Sequence, residues 1–181
     1  WISETIGDIY FQSFPGSCAL VLDQDAAAHV VIATTPDWVE TGLPSAAMYL
    51  TNKDGYWNWT TFGSCQYGDL FAPAVAIDSA GTVAAAYAAV NDCTPHGLWY
   101  RYRTGPQIEN WSLERVDDAP SLYGHVALAF DEAGRAHLCY DQDAGGTILK
   151  YALRTGSAWQ REIVEPVARG VPVGHGFQRR E

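Results

Sequence analysis

The residues of this sequence that could do chemistry are acids, imidazoles and guanidiniums, and several of them recur at fixed spacing. Asp23, Asp78 and Asp131 stand in register in three similar segments, and His29 and His137 share a repeated position that holds Ala84 in the second segment. A catalytic or metal-binding histidine needs partners converging from elsewhere in the chain. A hydrogen bond within the scaffold needs only periodicity, so these residues read as structural. The stretch "DQDAGG" at Asp141–Gly146 begins like a calcium loop, with carboxylates at alternate positions. The later position that should be acidic is Ala152, which favours a solvated turn over calcium at Asp141 and Asp143. The patterns G-x-S-x-G and H-E-x-x-H and the P-loop are all missing. Neither a metal nor a cofactor is expected, and the reading leans away from an enzyme.

The elements that would position these side chains are legible as a repeat. "CALVLDQDAAAHVVI" (Cys18–Ile32), "PAVAIDSAGTVAAAY" (Pro73–Tyr87) and "VALAFDEAGRAHLCY" (Val126–Tyr140) match position for position. Each holds two apolar runs separated by a turn at the Asp, where the carboxylate can accept following amides and Gly81 or Gly134 can take a positive φ. A third, alternating run follows in "LWYRYRT" (Leu98–Thr104) and "LKYALRT" (Leu149–Thr155), with "AMYLTNKDG" (Ala47–Gly55) as a weaker counterpart. A fourth run carries Trp with an apolar residue five positions on: "WISETI" at Trp1, "WNWTTF" at Trp57, "WSLERV" at Trp111 and "WQREIV" at Trp159. Four antiparallel strands per unit of about 50 residues is the build of a β-propeller blade. The expected organisation is all-β: a lone outer strand at 1–7, blades at 16–63, 71–117 and 124–166, and a C-terminal tail at 167–181. Three full blades do not close a ring, so the chain is expected either to be part of a longer one or to assemble with copies of itself, and not to be a stable isolated monomer.

The pattern L-D-x-x-G-x-x-H-V, seen as "LDQDAAAHV" and "FDEAGRAHL", followed by L-x-Y and W-x-x-E-x-V, resembles the repeats of bacterial secreted propellers of the sialidase-like, BNR-type group. The resemblance covers nearly all of residues 1–165 and implies the architecture. It departs from the sialidase Asp box, because two residues rather than one separate Asp from Gly and no Trp follows. Sialidase chemistry by resemblance would need three arginines clasping a carboxylate. Arg101 and Arg103 lie on a third strand and Arg154 near the end of another, positions that suit blade surface and not an axis mouth.

In a repeat protein the segments that do not repeat are where function concentrates. The loops joining rim to inner strands and second to third strands emerge on one face, and they carry Trp38, Tyr67, Asp92, His96, Tyr123 and His125. Aromatic rings that stack on a sugar, beside acids and imidazoles that bond its hydroxyls, make these six the expected glycan contacts, with Trp38 foremost. The competing reading is that aromatics of these loops plug the blade ends. The function expected is a non-catalytic recognition or scaffold module whose ligand is a glycan or a protein. The alternative is a fragment of a sialidase-like glycoside hydrolase whose catalytic residues lie partly outside this chain.

Composition narrows the partners. A formal charge of −10 repels phosphate backbones and argues against nucleic acid, and no apolar run is long enough for a helical membrane span. The lack of an initiator Met and of a basic-then-apolar leader suits a mature or trimmed chain. An extracellular or periplasmic setting fits the four cysteines, which lack zinc-site spacing. Two disulfides are expected, Cys18–Cys65 and Cys93–Cys139, with free buried thiols as the alternative.

Overall fold

The computed structural model describes residues 15–34, 44–65, 68–91, 95–118, 122–143 and 147–166. They form an all-β structure of three four-stranded antiparallel sheets, each an up-and-down meander in chain order. The first sheet comprises β1 (Pro15–Leu22), β2 (Ala28–Thr34), β3 (Ser45–Thr51) and β4 (Asn58–Cys65). The second comprises β5 (Gly68–Ile77), β6 (Val83–Asn91), β7 (Gly97–Arg103) and β8 (Trp111–Asp117). The third comprises β9 (Leu122–Phe130), β10 (Ala136–Asp143), β11 (Thr147–Thr155) and β12 (Ala158–Pro166). None of the sheets closes on itself among the described residues. The expected lone strand at 1–7 and the tail at 167–181 lie outside them.

The turn between the first two strands of each sheet is built by its aspartate. Asp23 Oδ1 accepts the amides of Asp25 and Ala27, Asp78 Oδ1 those of Ala80 and Thr82, and Asp131 Oδ1 those of Ala133 and Arg135, at 2.7–3.0 Å. Each turn then needs a positive φ three residues after the Asp. Gly81 and Gly134 supply it at 82° and 72°, and in the first sheet Ala26 adopts it at 62°.

The sheets stack face to face, with the first strands drawn together so that β5 lies against both β1 and β9. Strand β6 explains its own composition. Val83, Ala85, Tyr87 and Ala89 pack with Val31, Ala47, Tyr49 and Phe62 of the first sheet. Alternate residues Ala84, Ala86, Ala88 and Val90 pack with Ala136, Leu138, Tyr140 and Ala152 of the third. A strand covered on both faces at close approach has no polar face to display, which is why Val83–Val90 reads as alanine and valine interrupted only by Tyr87.

The expected disulfide pairs do not form. Cys18 and Cys139 are free thiols, whereas Cys65 is disulfide-bonded. Cys18 and Cys65 lie on opposite edge strands of one sheet, about 14 Å apart at three strand spacings, and a disulfide needs its Cα atoms within about 7 Å. Cys139 lies on β10, paired with Ala127 and Tyr151 on the face turned away from the second sheet. The fourth cysteine, Cys93, lies outside the described residues. The Gly68–Asn91 pairing brings the chain just after Cys65 to the same end of the sheet as the chain just before Cys93. Proteolytic mapping without reduction is therefore expected to recover one linked peptide, Cys65–Cys93, with Cys18 and Cys139 alkylatable; any link through Cys18 would refute this.

Candidate functional site

The two interfaces between sheets are held by polar groups of different character. Between the second and third sheets, the buried carboxylate of Asp117 at the end of β8 accepts Tyr140 O–H at 2.6 Å and Lys150 Nζ at 2.9 Å on Oδ2, and Arg161 Nη1 at 3.2 Å on Oδ1. Burial would raise its pKa, but the bonds from Lys150 and Tyr140 outweigh that and hold it below the ordinary value. Three residues back along β8, Arg154 forks onto Glu114 at 2.7 and 2.9 Å, Trp159 Nε1 donates to the same carboxylate, and the guanidinium lies 4.5 Å from the Tyr102 ring centre.

On the face of the first sheet that meets the second lies a histidine relay within the sheet. His29 is fully buried, with Nε2 3.3 Å from Asp23 Oδ2 and Nδ1 2.5 Å from Tyr49 Oη. The carboxylate only accepts, so Nε2 carries the proton and the Tyr49 hydroxyl donates to Nδ1. Burial lowers the His29 pKa against the opposing pull of Asp23. Burial would raise Asp23, yet the Ala27 amide, His29, Lys53 and the Asp25 amide together bring it down to about 2. The third sheet repeats the arrangement in part: His137 Nδ1 is 2.6 Å from Tyr151 Oη, while Nε2 lies 3.2 Å from Asp131 Oδ2 without hydrogen-bond geometry.

The arginines do not form a clasp. Arg101 donates from Nη2 to the Phe62 carbonyl and from Nε to Tyr87 Oη, in the first interface. Arg154 is committed to Glu114 in the second. Arg103 donates to Pro106 O. Among the described residues no group of three His, Cys, Asp or Glu side chains is placed to hold a metal ion.

At the turn end of the first interface lies an open cleft of about 530 Å³. One wall is the β3–β4 turn with Thr51, Lys53 and Asp54; the other carries Thr82, Arg103 and Thr104 of the second sheet. Asp54 accepts Asn58 Nδ2 at 3.2 Å, and Lys53 lies 3.3 Å from Asp23. Two residues past Asp54 in the same turn, Tyr56 is 63% exposed. Cation, anion, hydroxyls and a free aromatic ring thus share one turn and the wall facing it.

None of the expected contacts among the described residues lines this cleft. Trp38, Tyr67 and Asp92 are outside the described residues, and Tyr123 belongs to β9. His96, half-buried, precedes β7, while His125 on β9 is exposed and held by Asp141, which accepts its backbone amide at 3.2 Å and faces Nδ1 at 3.3 Å. Both histidines sit at the loop end of their sheets, opposite the cleft, and no hydrogen bond or ring contact joins them among the described residues. The cleft was recognisable by the same criterion of non-repetition. The turn Asn52–Trp57 differs in sequence from its counterparts around Gly105 and Gly156, but as a short hairpin turn it passed for scaffold.

No family model and no curated protein matches this chain. Solved structures do resemble it. A protein of unknown function from Dyadobacter fermentans DSM 18053 aligns at 14% identity and a TM-score of 0.54 over 81% of this chain, which spans 53% of that protein's length. A fucose lectin from Kordia zhangzhouensis, in complex with methyl-fucoside, aligns at 15% identity and 0.48, covering 81% of this chain and 97% of the lectin. The polysaccharide lyase Uly1 aligns at 10% and 0.47, covering 80% and 39%. At these identities the likeness is one of fold.

Proposed function

We propose that the three sheets are consecutive blades of a β-propeller and that the chain is a secreted carbohydrate-recognition module, binding a glycan in the cleft between its first two sheets. The observation that carries this reading is the cleft itself. Its volume suits one or two sugar rings, and its walls present hydroxyl, cationic and anionic side chains that bond sugar hydroxyls, while the exposed Tyr56, on the same turn but outside the lining, is the ring available to stack on a pyranose face. The reading does not lean on the lectin likeness. Nor does it extend to hydrolysis, because Arg101, Arg103 and Arg154 are engaged separately.

A glycan array probed with the labelled chain, followed by titration calorimetry on the best hit, tests the reading. Tyr56→Ala is expected to weaken binding about three- to tenfold, as the loss of one stacked ring of about 1 kcal/mol would. Folding stability should move by no more than about 0.5 kcal/mol, as for other exposed positions. Unchanged affinity in Tyr56→Ala together with a marked loss in Trp38→Ala would refute the cleft as the site. An array without hits would refute glycan recognition.

A further inference from the structure

We infer that the cleft continues past Lys53 into a second cleft and that the two form one groove for consecutive units of a neutral oligosaccharide, an extension that rests on the glycan reading of the first cleft. The second cleft, of about 310 Å³, lies between the first turns of the same two sheets, with Asp23, Gln24 and Asp25 on one side and Asp78, Ser79 and Gly81 on the other. Lys53 and Gly81 line both clefts, so the two meet there. Lys53 is drawn to Asp23 at 3.3 Å and keeps its side chain 48% exposed. Gly81, at a φ of 82°, puts no side chain into the junction, and apart from its chain neighbours no heavy atom stands within 4 Å of where a Cβ would be.

The second cleft is furnished for a sugar ring. Val21 of β1 and Ile77 of β5, both half-buried, contribute apolar surface for the C–H face of a ring. Asp25 is exposed, and among the described residues no donor engages its carboxylate, which leaves it to accept hydroxyls. Ser79 marks a break in the repeat. The aligned position one residue after the turn aspartate holds Gln24 in the first sheet and Glu132 in the third, and the short serine leaves open the space that such side chains would take.

Charge selects the class of glycan. Asp23, Asp25, Asp54 and Asp78 line the groove against Lys53 and Arg103. An acidic chain would meet a net negative surface on a protein of formal charge −10. The hydroxyls of a neutral chain can donate to the same carboxylates without that repulsion.

Titration calorimetry of the full chain tests this with ladders of one to six glucose, mannose, galactose, xylose or N-acetylglucosamine units, and with oligogalacturonates as the acidic counterpart. In a neutral ladder, affinity is expected to rise about five- to a hundredfold from the disaccharide to the tetrasaccharide, as two added hydrogen bonds would give, and then to level off. Ser79→Trp fills the second cleft from an exposed turn position. It should abolish that rise, keep the native circular dichroism and leave disaccharide affinity unchanged. Asp25→Ala should weaken the tetrasaccharide alone, by about two- to tenfold. Tyr56→Ala, in contrast, should weaken every length from the disaccharide up. A flat ladder, or a Ser79→Trp variant that keeps the rise, overturns the second cleft while the reading of the first stands. Preference for the acidic ladder overturns the neutral class. No binding in any ladder overturns the extended groove, and the array decides separately whether the first cleft takes a glycan.

Discussion

Asp117→Ala is expected to lower stability by about 3–5 kcal/mol, the usual cost of removing one partner from a buried ion pair. The carboxylate is 4% exposed and terminates bonds from three strands of the third sheet: Tyr140 on β10, Lys150 on β11 and Arg161 on β12. Arg161, half exposed, can turn to water. The Tyr140 hydroxyl and the Lys150 ammonium are buried or nearly so, and they would be left without their acceptor. At about 2–4 °C per kcal/mol for a chain of this size, the melting temperature should fall by roughly 6–20 °C. Arg161→Ala should cost no more than about 1 kcal/mol, as exposed pairs do. Equal losses from the two substitutions would show that Asp117 is not the node of this interface.

His29→Leu should cost about 1–3 kcal/mol at neutral pH, because it strands the donor of Tyr49, whose side chain is fully buried. Its more specific signature lies in acid. The folded pKa of His29 is held below 6.5, so the unfolded chain binds the proton first. The neutral imidazole's contribution is therefore complete above about pH 6.5 and fades as the pH falls toward the folded value. Asp23 follows at lower pH: its folded pKa of about 2 lies below the unfolded 3.8, so its contribution holds above 3.8 and is lost as the pH falls through 2. Wild-type stability should thus decline in two stages on acidification. His29→Leu should remove the upper stage and keep the lower. Parallel pH profiles for variant and wild type would show that His29 does not titrate with folding.

The strand order, the aspartate turns and the pairing of apolar runs were legible because each depends on local periodicity. Asp23, Asp78 and Asp131 announce their turns by position alone, and His29 and His137 announce a shared scaffold role. Relations across sheets were not legible. Glu114 and Arg154 lie forty residues apart, and nothing in either strand says that the two will meet. The cysteines failed for a related reason. β1 and β4 are the two opposite edges of their sheet, a separation that the positions of Cys18 and Cys65 along the chain do not reveal. The cleft escaped because its two walls belong to different repeats, and the turn that forms one of them is too short to stand out as an insertion.

The face-to-face stacking of sheets has a consequence for how the molecule comes apart. Among the described residues each sheet packs on its neighbours in chain order, so stability is approximately a sum over sheets and junctions, as in a one-dimensional array. Among those residues the middle sheet belongs to two such junctions and each end sheet to one. Loss of an end sheet sacrifices one junction, whereas loss of the middle sheet severs the array. Within a single chain the order of unfolding is therefore fraying from the ends inward, and β6, with an alanine face toward each neighbour, is the last cooperative remnant.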